Sequence, residues 1–260
     1  MRAMQRSTLR TEALMSAHAR IFLSFLVSAF LHAGCAHQVY SPPARMLPLE
    51  SAATLSEGET GVQVEGAVHG AVFGTGFGES GESGAVRVRH GFSANVEGAL
   101  EADALHIDGH SIAHTSPYAL AARAGIKAAI LGNDLSITAG LGTGGSAGGG
   151  FVSPDAGIIL AFENSYVVPF ASVRASASLP FDRHTVDTGG VGDSMGEYLY
   201  QPPLTWIGGG LIGFRVPFGC KAAPCDVSGS FLAGLGLTYL AATGTSTTFA
   251  SLAAGGELAF

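Results

Sequence analysis

Stretches in which apolar and polar residues alternate recur from Thr60 to the end of this chain, and no other feature limits its fold as strongly. In TGVQVEGAVHGAVF, Val62, Val64, Val68 and Val72 share one parity, while Gln63, Glu65 and His69 share the other. A period of two is the signature of a β-strand with one apolar face. The same alternation, with turn residues between, predicts strands over 60–73, 84–92, 95–106, 117–131, 135–146, 151–162, 166–179, 204–217, 228–241 and 247–260. Each is about as long as the 9 to 11 tilted residues that cross a bilayer, and longer than the five or six usual in globular sheets.

Composition narrows the choice between a barrel in water and one in lipid. Of 260 residues, 47% are hydrophobic and 13% charged, against roughly a quarter charged in ordinary soluble domains. Yet after the N-terminal region no apolar run reaches the roughly 18 residues of a transmembrane helix. A closed barrel is the other fold that satisfies every backbone group in lipid. The net charge of -7 argues against nucleic acid, which calls for a basic patch.

The connections point the same way. Those after the odd-numbered strands, GTGFGESGES, HIDGHSIAHTSP, GTGGSAGG, the segment from Pro180 to Pro203, and ATGTST, are read as long loops. Those after strands two, four and six, SAN, LGND and ENS, are tight. Long loops at one end, with short turns and both termini at the other, is the asymmetry of outer-membrane barrels.

The N-terminus carries Arg2, Arg6, Arg10 and Arg20, then the apolar run IFLSFLVSAF over residues 21–30, then small residues before Cys35. This reads as a secretory signal over 1–34, with Met15 as an alternative start. LHAGC resembles the lipobox of bacterial lipoproteins through Ala33, Gly34 and Cys35, which implies lipidation of Cys35. The other cysteines, in GCKAAPCD, flank a turn. In an exported chain Cys220 and Cys225 read as a disulfide, with metal or redox use as the alternative. Residues 35–59, with three prolines in AHQVYSPPARMLPLESAATLSEGE and no clear periodicity, read as a periplasmic linker. Residues 60–260 are the barrel.

Local motifs carry a resemblance to a known superfamily. VRHGFSANVEGAL, with Arg89, Gly91, Phe92, Asn95 and Val96, resembles the strand, tight turn, strand unit of Gram-negative outer-membrane β-barrels. LAARAGIKAAI and GGGLIGFRVPF are looser echoes. The terminal SLAAGGELAF is similar, through Gly255, Leu258 and Phe260, to the signal read by the barrel assembly machinery. The resemblance implies an all-β, antiparallel, up-and-down transmembrane barrel of about ten strands in the outer membrane. Its implied partners are the membrane's lipids and, during biogenesis, the assembly machinery.

If the apolar parity faces lipid, the lumen receives Glu65, Arg87, Arg89, Glu97, Glu101, Arg123, Lys127, Glu163, Arg174, Arg215 and Glu257. Basic residues would cost roughly 2–4 kcal/mol each on the lipid side at mid-depth. A barrel of about ten strands is modestly wider than the eight-stranded case that side chains fill. Gly140, Gly142, Gly234, Gly236 and Gly255 thin the wall, so a small pore stays open as a reading.

Candidate chemistry is sparse. His106, His110 and His114 recur every four residues, which on a helix could bind a metal, but Asp108, Gly109 and Ser111 favour a loop. Asp182, Asp187, Asp193 and Glu197 could supply oxygen ligands, yet fit no EF-hand spacing. Ser111 with His110 or His114, and Ser194 with His184, could be drawn into a hydrolytic scheme, but no G-x-S-x-G or H-E-x-x-H is present. No cofactor, metal or catalytic residue is therefore expected. The leading reading is a structural or surface-interaction barrel presenting the loop over 180–203. The alternatives are a narrow solute channel, a surface enzyme, and a soluble lipid-anchored periplasmic barrel with an apolar interior.

Overall fold

The alternating stretches pair edge to edge until the sheet meets itself. A computed structural model of the chain describes residues 40–74, 80–108, 118–187, 199–219 and 227–260. Ten antiparallel strands form the closed barrel: β1 (Thr60–Gly74), β2 (Ser80–Ser93), β3 (Val96–Asp108), β4 (Tyr118–Leu131), β5 (Leu135–Ser146), β6 (Gly149–Ala161), β7 (Val168–Phe181), β10 (Thr205–Gly219), β11 (Ser228–Ala242) and β12 (Thr245–Ala259). A small two-stranded ribbon, β8 (Val186–Asp187) with β9 (Leu199–Tyr200), sits in the connection between β7 and β10. Each barrel strand pairs with its neighbours in sequence, and β1 pairs with β12. Thr60 and Phe260 complete the closure by exchanging backbone N–H···O bonds of 2.9 Å each.

Closure fixes which residues share a face. In β1, Val64 and Val68 point outward and are more than half exposed, while Gln63 and His69 are buried inside. In β11, Leu235 and Leu237 are 58% and 53% exposed. Polar and charged side chains run around the inside in register: Gln63 opposite Arg87, Arg87 opposite Glu101, Glu101 opposite Arg123. This is the reverse of the apolar-interior, charged-exterior arrangement expected of a soluble periplasmic barrel.

Strand direction sorts the two ends. The near mouth holds Thr60, Phe260 and the connections 94–95, 132–134, 162–167 and 220–227. The far mouth holds the connections 75–79, 109–117, 147–148, 182–204 and 243–244. Two of the expected long loops are thus two-residue hairpins. GTGGSAGG and ATGTST mostly continue their strands, since Thr143 and Thr245 to Thr248 pair across the ladder and glycines at positive φ, Gly149 (111°) and Gly244 (76°), allow sharp reversals. The loop asymmetry rests mainly on 182–204.

Residues 40–56, part of the stretch read as a linker, run through the barrel. Leu49 and Ala52 are fully buried, and Ser41, Arg45, Glu50 and Ser51 nearly so. Pro42, Pro43 and Pro48 keep the segment extended, without a local hydrogen-bond ladder, so its backbone groups are free to bond to the lumen wall.

Candidate functional site: the filled lumen

A chain drawn through a narrow lumen must find partners for its backbone, because buried N–H and C=O groups left unpaired cost roughly 1–3 kcal/mol. The barrel wall provides them. The Leu49 N–H donates to Glu65 Oε2 at 3.2 Å, and the Leu49 carbonyl accepts from Gln63 Nε2 at 2.7 Å. Lys127 Nζ donates to the carbonyls of Ser51 (3.2 Å) and Ala53 (2.7 Å), and the Ser136 hydroxyl donates to that of Ala52. The Leu55 N–H donates to Glu97 Oε2 at 2.8 Å. Glu65, Glu97 and Lys127 thus hold the segment, and Glu97 and Lys127 also pair with each other.

The side chains of the segment match two unlike halves of the wall. Leu47, Leu49 and Ala52 pack with Ile159, Ala161, Val168, Phe170, Leu211, Leu232 and Ala253 on β6, β7 and β10 to β12. Full burial of such a side chain is worth about 1.5–3 kcal/mol. Glycine makes the room. A Cβ at Gly236 would come within 2.5 Å of Leu47 Cδ1, and one at Gly142 would overlap the Ala44 methyl. The thinning of the wall at Gly142, Gly234 and Gly236, which suggests a pore in the sequence, is taken up by Ala44, Leu49 and Leu47.

Arg45 and Glu50 face the charged half. Arg45 Nη1 donates to Glu101 Oε2 at 2.8 Å and to Glu50 Oε1 at 3.3 Å, with Asp155 4.0 Å away. Glu50 in turn meets Arg87 (3.3 Å) and Arg174 (3.2 Å). Arg87 Nε donates to Glu101 at 2.6 Å, and Arg123 forks onto Asp155 at 2.6 and 2.8 Å. Charges with such low exposure persist when each is paired several times, and removing one partner is costly.

Closer to the near mouth, Glu97 joins Arg89 and Lys127, each at 2.9 Å, and Arg89 also contacts Glu257. Arg215 meets both oxygens of Glu163 at 2.8 Å. Glu163 lies just past β6, in the connection to β7. With Glu65 3.6 Å from Arg87, each of the lumen charges named from the sequence is in an ion pair. Gly255 lies against the β1 backbone, and Leu258 and Phe260 face outward.

Several participants escaped the sequence reading. Arg45 and Glu50 lie in the stretch read as a linker, Asp103 shares its strand with Glu97 and Glu101, and Asp155 lies in a strand read as carrying no lumen charge. Asp155 follows Pro154 inside the strand predicted over 151–162, and its parity with Ser153 and Gly157 points inward. His69, buried, sits between the hydroxyls of Ser251 (2.7 Å) and Ser83 (2.8 Å), a cross-strand pairing invisible along the chain.

Among the described residues the candidate chemistry is dispersed. His106 stacks on Tyr118, with ring centroids 4.6 Å apart, and lies 3.7 Å from Glu82. His184 pairs at 3.7 Å with the exposed Asp182. His110, His114, Ser111, Asp193, Ser194, Glu197, Cys35, Cys220 and Cys225 lie outside the described residues, as does the side chain of Asp187. Among the described residues no three His, Cys, Asp or Glu side chains converge as metal ligands.

No protein-family model matches the sequence, and no curated protein matches it significantly. Similar solved structures include the Neisserial surface protein A, at 17% identity and TM-score 0.40, covering 77% of this chain and 98% of that one. The N-terminal β-barrel domain of Pseudomonas aeruginosa OprF follows at 10% identity and TM-score 0.31, with 78% and 99% covered. A bacterial polysaccharide outer membrane secretin shows 8% identity and TM-score 0.32, with 77% and 97% covered. The architecture itself is defined by strand order and register: a closed, ten-stranded, antiparallel, up-and-down barrel.

Proposed function

We propose that this chain is an outer-membrane barrel with a closed lumen, whose role is structural or interactive, performed by the far-mouth connections and chiefly by 182–204. The observation that carries the membrane reading is the outer wall. Phe73, Tyr118, Phe181, Trp206 and Tyr239 are exposed towards the far mouth, and Phe92, Phe162, Tyr166, Phe218, Phe231 and Phe260 towards the near one. Between these two rings the exposed large side chains are mostly Val, Leu and Ile, among them Val86, Leu100, Leu120, Ile126, Ile158, Val173 and Ile212. An apolar band between aromatic girdles is what a bilayer selects. The same reading takes in outer-membrane lipids as the surrounding partner and the assembly machinery as a transient one. Lipidation of Cys35 and a disulfide between Cys220 and Cys225 are further parts of the proposal.

The closed lumen favours this role over a solute channel, because the space a solute would use holds residues 40–56. Planar-bilayer recording tests the choice. The purified full chain is expected to be silent, and a variant lacking 40–56 to give discrete openings. A steady conductance from the full chain would reinstate the channel. Extraction of the chain from membranes by alkaline carbonate would defeat the membrane reading itself.

A further inference from the structure

The segment in the lumen has a direction, and the direction fixes where the N-terminus emerges. At one end, the Thr54 hydroxyl donates to the Ala94 carbonyl (3.0 Å) in the β2–β3 turn, and the Ser56 N–H donates to Glu59 Oε2 (2.9 Å). This is the near mouth, beside Thr60 and Phe260. At the other end, Tyr40 Oη lies 3.0 Å from the hydroxyl of Thr245 and 3.1 Å from that of Thr247. The Ser41 N–H donates to Thr205 Oγ1 at 3.0 Å, and the Ser178 hydroxyl donates to the Pro42 carbonyl at 2.6 Å. Thr245, Thr247, Thr205 and Ser178 belong to the far-mouth ends of β12, β10 and β7. Between those points the segment touches the wall throughout, from Ala44 against Gly142 to Ala53 against Lys127.

We infer that the barrel threads its own N-terminal segment from the near mouth to the far one, and so displays the end of the mature chain on the loop side. Taken with the membrane reading above, on which this step rests, that side is the cell surface. The geometry leaves little alternative for the residues just upstream. Cys35 precedes Tyr40 by a stretch that spans at most about 17 Å when fully extended, too short to return through a lumen that the same chain already fills. The segment becomes a spacer that carries an anchor, or a displayed peptide, across the membrane within a sealed barrel.

The test places a short epitope between His37 and Gln38, a second between Ala94 and Asn95, and a third after Arg183, each in an otherwise intact chain. Antibody is applied to whole and to permeabilised cells. The first and third epitopes are expected to stain on whole cells, and the second only after permeabilisation. If the third stains on whole cells while the first behaves like the second, the threading inference is overturned. If the third also fails on whole cells, the membrane orientation falls and the surface display falls with it. A second measurement is independent of the membrane: a photo-reactive phenylalanine at position 40 should crosslink to the β11–β12 hairpin in purified protein, as mapped by mass spectrometry. Crosslinks to the 94–95 or 132–134 turns instead would reverse the direction.

Discussion

Arg45, on the threaded segment, donates to Glu101 of β3 at 2.8 Å, within the cluster where Arg87 reaches the same carboxylate at 2.6 Å and Glu50 meets Arg87 and Arg174. The segment thus completes a network whose other members are built into the wall. Arg45→Ala removes a cation that Glu101, Glu50 and Asp155 share, and breaking a buried pair costs about 3–5 kcal/mol. Arg45→Lys keeps the charge but loses the fork of donors, and should cost less. Urea titration of protein refolded into vesicles measures both. An Arg45→Ala variant as stable as the parent would mean that residue 45 is not seated in the lumen.

The contact between Leu47 and Gly236 gives a prediction in which atoms are added rather than removed. Gly236→Val fills space that Leu47 occupies, and overpacking of this kind costs about 1–3 kcal/mol. Shortening the other partner by Leu47→Ala should offset part of that loss, since the two changes act on one volume and cannot be additive. The double variant is expected to be more stable than Gly236→Val alone in the same titration. Simple additivity would show that the two residues do not touch.

These two contacts also mark how far the sequence could be read. The parity that sets Val64 and Val68 against Gln63 and His69 is a local property, so strands and facing were legible residue by residue. Ring order followed from the tight turns. The destination of residues 40–56 did not, because Arg45, Leu47 and Glu50 have no periodicity of their own and match a surface that forms once β1 to β12 have closed. Asp155 lies inside the strand predicted over 151–162, but its partners Arg123 and Arg174 are on other strands, so its pairing is not a local property. Here Pro154 faces outward in β6 opposite Leu141, and the β6–β7 register is interrupted between Val152 and Asp155.

His69 offers a prediction about the far half of the lumen. Its ring nitrogens contact Ser83 and Ser251 across two strand pairs, so His69→Leu leaves both hydroxyls without that partner. A buried hydroxyl left unpaired costs about 1–3 kcal/mol. His69→Leu should lower stability, and adding Ser83→Ala with Ser251→Ala should recover part of it. No recovery would indicate that the hydroxyls do not depend on the imidazole.

The outer wall makes the most direct demand on the solvent. Leu235 lies opposite Leu252 of β12 and Ile212 of β10, near the middle of the apolar band. In a bilayer Leu235→Arg should cost about 2–4 kcal/mol, while the same change at Trp206, close to the far mouth, should cost nearer 0–1 kcal/mol for its charge. In water the order would be different, because an exposed arginine at either site is nearly free and surface changes fall within about 0.5 kcal/mol. Refolding each variant into vesicles and measuring its stability separates the cases. A depth-dependent penalty fits lipid as the solvent of this face, and equal, small effects at positions 235 and 206 would assign it to water.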